Sequence, residues 1–330
     1  MRKYFTSVFV PAAMFFILTL GCAGEAWFVI DGRLASFDVA DKSAGAKIVD
    51  QKAERYFGVQ PETDKIVLGL GALKMAPNDE VLEGMNLALY EPVSKKVDVI
   101  AKDIVRAYPA PSGNAIAVLP KTFSLQIYMN GKLQETGIKE KVLQVAWFHG
   151  GKRFVYAAYP SDWSPEKMSS PKNQEELLRL TNADLHIYDL EENKSSPLVI
   201  HPELDYNPVV SPDGQSVIFV STRTHYASFY KVDVETGKIE QLTNFEPEKN
   251  RDDLVPAPLL DKIMWPYDSK FIIYETNSKN LTPQIRSIGT DGKNPQLITT
   301  GKHARWLGDG FIAYLDNEKQ PRVIQISTKQ

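Results

Sequence analysis

A single cysteine in 330 residues leaves no partner for a disulfide and no Cys-x-x-Cys pair for zinc or thiol redox chemistry. An excess of basic charge is missing too. With 38 Lys and Arg against 41 Asp and Glu the net charge is −3, which offers no stripe to neutralise phosphates and excludes nucleic acid as a partner. Long uncharged apolar runs are absent except one, Tyr4 to Leu20, so the chain has no set of spanning helices. There is no Gly-x-Ser-x-Gly elbow, no phosphate loop and no His-Glu-x-x-His, which removes the common locally encoded catalytic centres. What remains, 43% hydrophobic and 24% charged residues, is ordinary globular material.

The N-terminus carries the strongest local signal. Met1-Arg2-Lys3 is a short positive region, the apolar run follows, and Leu18-Thr19-Leu20-Gly21-Cys22 closes it. This resembles a bacterial lipobox, which implies a signal peptide over 1–21, a lipidated N-terminus and short tether over 22–26, and lipid attachment at Cys22. The alternative is an uncleaved anchor ending in a buried cysteine. Ala23 rather than Asp follows Cys22, which favours the outer membrane over the inner for an exported, membrane-anchored protein.

The rest of the chain repeats itself. In Asn207 to Ser221 two β-branched runs flank Ser211-Pro212-Asp213-Gly214, a turn in which Pro presets φ, Asp bonds the backbone ahead and Gly accepts positive φ. A second hairpin, Tyr230 to Val234 turning at Glu235-Thr236-Gly237-Lys238 into Ile239 to Leu242, completes four short strands. Val210 and Phe219 are nine residues apart across the first turn. The same interval separates Val59 from Leu68, Pro109 from Val118, Trp147 from Tyr156 and Trp265 from Tyr274, and Trp306 stands eight before Tyr314. Six anchors predict an all-β, six-bladed β-propeller of four-stranded antiparallel blades over 27–330. The last blade lacks a fourth strand, so an N-terminal strand at Ala46-Lys47-Ile48-Val49 is expected to close the ring. Trp27–Ile30 and Leu34–Val39 also read as strands, and the alternative is a seventh, incomplete blade. The anchor tryptophans are read as core rather than as a ligand cage.

Asn207 to Thr243 resembles the repeat of the TolB-type propellers, carried by Ser211-Pro212-Asp213-Gly214, Ile218 to Ser221, the Tyr230 strand and Gly237 to Thr243. The resemblance implies a binding or scaffold protein of the cell envelope, with a protein or glycan partner and no cofactor. Members of that family carry a separate α/β domain ahead of the propeller, and the few dozen residues before Val59 do not supply one, so the family's partner contacts are not transferred. Related propellers cap serine peptidases, but no hydrolase domain follows the repeats before Gln330.

No residue is assigned as catalytic and none as a metal ligand. His149, His186, His201, His225 and His303 fall in different repeats without ligand spacing, and Glu175-Glu176, Glu191-Glu192 and Asp252-Asp253 read as solvated loop charges. The alternative is a propeller enzyme, a polysaccharide lyase or hydrolase, with its site at the central channel. Strand direction alternates within a blade, so first and third turns open on one face of the disc. Second turns and the links between blades open on the other. The long insertions, Gly71 to Met85, Tyr159 to Asn182 and Phe245 to Asp261, all belong to that second face. Tyr159 and Trp163, with Arg251, Asp252 and Asp253, are therefore the expected partner-binding residues, against the alternative that Trp163 only tucks its loop down.

Overall fold

In the computed structural model the Ser211-Pro212-Asp213-Gly214 turn folds as its chemistry dictates. The Asp213 carboxylate accepts from the Ser211 hydroxyl at 2.6 Å and from the Gln215 N–H at 2.9 Å. Gly214 takes φ 71°, the left-handed region that only glycine enters without strain. The described residues are 25–38, 47–75, 81–224, 227–244, 254–255, 263–266, 270–278, 282–308 and 310–326.

The strands run in sequence order and pair antiparallel with their neighbours. A first sheet holds β1 (Glu25–Ile30), β2 (Arg33–Asp38) and β3 (Lys47–Lys52). The second holds β4 (Arg55–Gln60), β5 (Lys65–Leu70), β8 (Met85–Glu91) and the first half of β9 (Lys96–Pro109), with the hairpin β6 (Lys74–Met75) and β7 (Val81–Glu83) in its second turn. The rest of β9 opens the third sheet, with β10 (Ile116–Pro120), β11 (Gln126–Met129) and β12 (Lys132–Glu135). Here β9 turns a corner at Asp103, whose φ is 55°. Gly84 lies so close beneath that a Cβ on it would stand 2.4 Å from the Asp103 carbonyl carbon.

The fourth sheet contains β13 (Lys141–Trp147), β14 (Arg153–Tyr159), β15 (Asp184–Asp189) and β16 (Lys194–Val199), with helices α1 (Pro165–Ser169) and α2 (Gln174–Thr181) inserted in its second turn. The fifth contains β17 (Asp205–Val210), β18 (Ser216–Ser221), β19 (Ser228–Asp233) and β20 (Ile239–Gln241). In the sixth, β21 (Leu254–Val255) and β22 (Ile263–Met264) both pair with β23 (Phe271–Ser278), followed by β24 (Pro283–Gly289) and β25 (Gln296–Thr300). The last has β26 (Lys302–Gly308), β27 (Phe311–Leu315) and β28 (Pro321–Gln325).

Period-two alternation stacks these sheets into a ring. On β14, Phe154, Tyr156 and Ala158 face the third sheet, whereas Val155 and Ala157 face the fifth. On β18, Val217 and Phe219 face the fourth sheet, and Ile218 and Val220 the sixth. Val67 and Leu87 meet Ile116 and Val118 between the second and third sheets. Ile273 and Ile285 meet Ala304 and Ile312 between the sixth and last. Trp27 and Leu34 join the first sheet to Ile66 and Leu68 of the second, and Ala26, Phe28 and Phe37 join it to Ala313 and Leu315 of the last. The fold is a β-propeller.

Two sequence expectations are corrected here. The segment around 46–49 does not complete the last blade, because Lys47 and Ile48 pair with Ser36 and Ala35 inside the first sheet. The N-terminal part closes the ring as a three-stranded sheet packed between the last blade and the second sheet, which is the incomplete-blade alternative, and each of the six anchored repeats supplies a blade of its own. The tether expected over 22–26 is also shorter than read, since Glu25 and Ala26 are already in β1 and Ala26 is buried against the last blade.

Candidate functional site

The axis of the ring is walled by the first strand of each anchored blade. These strands are interrupted by register shifts near their starts, at Tyr56/Gly58, Val142/Gln144, Tyr206/Val209 and Lys302/Arg305. Such bulges re-aim side chains. Asn207 and His303 take positive φ of 51° and 61° at two of them, and the Asn207 N–H donates to Gln144 Oε1 at 2.6 Å.

Among the described residues two cavities open along this wall. One, of about 340 Å³, is lined by Tyr108, Gln144, Trp147 and Asn207 among others. Trp147 is fixed there by its indole N–H, which donates to the Tyr108 carbonyl at 2.8 Å, and by an edge contact on Phe154 at 5.1 Å. The second, of about 470 Å³, shares Arg106 and Tyr108 with the first and adds Arg55, Tyr56, His303 and Arg305. Among the described residues Glu54 is the one carboxylate lining it, against the guanidinium groups of Arg55, Arg106 and Arg305. The Arg305 guanidinium carbon lies 4.7 Å from the centre of the Tyr56 ring, a cation–π contact. Arg305 Nε is buried without an acceptor among the described residues. Burial pushes the Tyr56 hydroxyl pKa up, and the charge of Arg305 opposes that rise. Among the described residues, three arginines against one carboxylate give this lining an excess of positive charge. Guanidinium groups present paired N–H donors to carboxylate or phosphate, and a partly enclosed site strengthens the attraction.

Topology places the larger cavity on the face of the second turns. Its residues sit at the start of β4 and β26 and at the end of β27, the ends where links and second turns emerge.

The expected partner-binding aromatics lie elsewhere on that face. Tyr159 and Trp163 stack at 5.1 Å with planes 13° apart, and the Trp163 ring stands edge-on to Phe123 at 5.5 Å. Phe123 belongs to the second turn of the third sheet, so the corner fastens one insertion to its neighbour. Asp162 completes the fastening through two bonds to Arg179, at 2.6 and 2.8 Å, and one to Lys167 at 3.0 Å. Burial pushes the Tyr159 hydroxyl pKa up. Cys22, Arg251, Asp252, Asp253 and His225 lie outside the described residues.

Of the histidines, His303 reaches the larger cavity. His186 stacks on Tyr156 at 5.1 Å, and burial holds its pKa below the usual value. His201 Nδ1 accepts from the Glu203 N–H. No group of three or more His, Cys, Asp or Glu that could hold a metal occurs among the described residues. The Glu175-Glu176 pair opens α2, where Glu176 Oε2 accepts from the Lys172 N–H and Glu191 bridges Lys152 in another turn.

Sequence reading missed Arg55, Arg106 and Arg305. Their signal was positional rather than local. Each precedes its blade's anchor, Val59, Pro109 or Trp306, by one to four residues, where the inner strand begins.

No known family profile and no curated protein matches the chain. Solved structures do. The oligogalacturonate lyase of Vibrio parahaemolyticus is similar over 93% of this chain and 83% of its own, at 11% identity and a TM-score of 0.58. TolB from Acinetobacter baumannii is similar over 92% and 77%, at 13% identity and 0.52. The tricorn protease is similar over 92% of this chain at 10% identity and 0.59, and the chain spans 32% of that protein's length. At such identities the likeness is one of fold.

Proposed function

We propose that this chain is a non-enzymatic lipoprotein of the bacterial cell envelope, held to the membrane through Cys22, whose propeller captures an anionic ligand or an acidic partner in the larger axial cavity. The convergence of Arg55, Arg106 and Arg305 from three separate blades on one cavity carries this reading. The resemblance to TolB-type propellers supports an envelope location, and the lipobox supports the anchor. No helix among the described residues is long and apolar enough to cross a membrane.

The test is crosslinked capture from envelope fractions, comparing the wild-type protein with Arg106→Gln/Arg305→Gln. Each charged hydrogen bond lost is worth about 1.5–3 kcal/mol, so capture should weaken at least tenfold. Equal capture by the double variant would remove the cavity from the function.

One observation favours a second reading. His303 lies in the same cavity as Arg305, which pairs a titratable group with an anion-holding one, and a propeller lyase shares the fold. Degradation of oligogalacturonate that is lost in His303→Ala would favour that enzyme reading over the binding one.

A further inference from the structure

The first sheet is out of phase with the other blades. The turn between β1 and β2 holds Asp31, whose carboxylate accepts from Lys319 Nζ at 2.6 Å. Lys319 sits between β27 and β28, in the second turn of the last blade. β1 packs on β27 itself, Ala26 and Phe28 against Ala313 and Leu315. The Ala53 N–H, at the start of the link to β4, donates to the Gly32 carbonyl at 3.0 Å. The β1–β2 turn therefore belongs to the second-turn face, and β1, β2 and β3 occupy the places of the second, third and fourth strands of a blade. Among the described residues β1 pairs with β2 alone, and no strand stands on its axis side. The larger cavity lies there, lined by Phe28 and Val29 of β1, by β4 on one flank and β26 on the other.

We propose that this place accepts an extended, carboxylate-bearing peptide segment of a partner protein, which pairs with β1 as the inner strand of the first blade. The inference rests on the anion-binding reading and specifies its ligand. An open strand edge offers alternating N–H and C=O groups that a free phosphate or small carboxylate does not use. At about 3.3 Å per residue, the length of β1 offers roughly 20 Å of edge. The lining offers a guest strand both kinds of contact. Phe28, Val29, Phe57 and Leu315 suit its apolar side chains, and Arg55, Arg106 and Arg305 suit its carboxylates.

The probe is a capped hexapeptide of alternating valine and glutamate, titrated against the full chain. Two further versions are N-methylated, at the valines or at the glutamates, which blocks backbone pairing in one phase or the other without changing charge. The parent peptide should bind, one methylated version should bind at least tenfold more weakly, and exchange of the Ala26–Ile30 amides should slow when the parent is bound. Arg55→Gln/Arg305→Gln, checked for native circular dichroism, should weaken the parent at least tenfold. If both methylated versions bind like the parent, or the β1 amides gain no protection, strand pairing is overturned while the anion site stands. If oligogalacturonate binds and the peptides do not, the peptide ligand is overturned and the anion site again stands. If the double variant binds every probe as the wild type does, the anion-binding reading falls with it.

Discussion

Lys319 and Asp31 stand 288 residues apart in sequence and 2.6 Å apart in space. Their ion pair marks the seam of the ring, yet both side chains are more than half exposed. Exposed pairs contribute at most about 1 kcal/mol, so the seam is held by Phe28, Phe37 and Leu315 beneath it. Lys319→Ala should shift the urea midpoint little, whereas Phe28→Ala should cost roughly 3–5 kcal/mol, the usual loss for a buried phenylalanine. Equal, small losses from both would show that the seam carries no stability.

Asp205 is wholly buried in β17 and receives both bonds of its ion pair from the Arg223 guanidinium, at 3.0 and 2.9 Å. Arg223 also lies 4.8 Å over the Tyr230 ring. Burial raises the Asp205 pKa, and hydrogen bonds from Ser221 and Arg223 oppose the rise. Removing the cation strands the carboxylate, so Arg223→Ala should destabilise the protein by roughly 3–5 kcal/mol. Asp205→Asn/Arg223→Met, which removes both charges, should recover part of that loss. Thermal melts of the three proteins decide it.

Three carboxylates make the fold weaker in acid. Asp213 is held below the usual range by Ser211 and the Gln215 N–H, Asp233 by the Thr236 N–H and hydroxyl, and Asp162 by Arg179 and Lys167. A pKa lower in the folded than in the unfolded chain contributes stability above the unfolded value of about 4, lost as pH falls through the folded value. The urea midpoint should therefore fall between about pH 5 and about pH 2, and Asp213→Asn should flatten that slope. A midpoint constant over this interval would contradict the sign.

Trp163→Ala should loosen the 160–182 insertion without opening the ring. Its contacts run to Tyr159 and Phe123, and neither α1 nor α2 contributes more than Leu180 to the buried set. Amide exchange in α2 should accelerate while the global melting temperature moves by a few degrees at most. Loss of capture in this variant would return the partner surface to the insertion.

Cys22→Ser should abolish lipid labelling and release the protein from membranes. Unchanged membrane retention would remove the lipid anchor.

The blades were legible because an apolar pair recurs at an interval of eight or nine residues, and in the fifth sheet the turn residues themselves specify the hairpins. Ser211-Pro212-Asp213-Gly214 and Thr236-Gly237 fix their hairpins through local bonds, and the alternation on β14 and β18 fixes which neighbour each face meets. The place of the first sheet was not legible. Trp27 to Ile30 reads as a strand, but nothing local says whether it stands innermost or second, and that was decided by Leu315 and Lys319 at the far end of the chain. The arginine cavity escaped for the same reason. Arg55, Arg106 and Arg305 are ordinary surface charges until closure of the ring sets them around one space.

The out-of-phase first sheet also orders the folding of the ring. Every interface from the second sheet to the last joins sheets consecutive in sequence, so these can stack as soon as both are available. The seam alone waits for β1 and β27, whose union closes a loop of almost the whole chain. Loop closure grows costlier with length, though slowly, by about 0.6 kcal/mol per doubling. The late step is thus set less by entropy than by timing, since Phe28 and Phe37 must keep their apolar surfaces exposed until Ala313 and Leu315 exist to cover one side. Until then that sheet presents an apolar face a holding chaperone would bind, and the ring has one moment of vulnerability, located at residues 25–38.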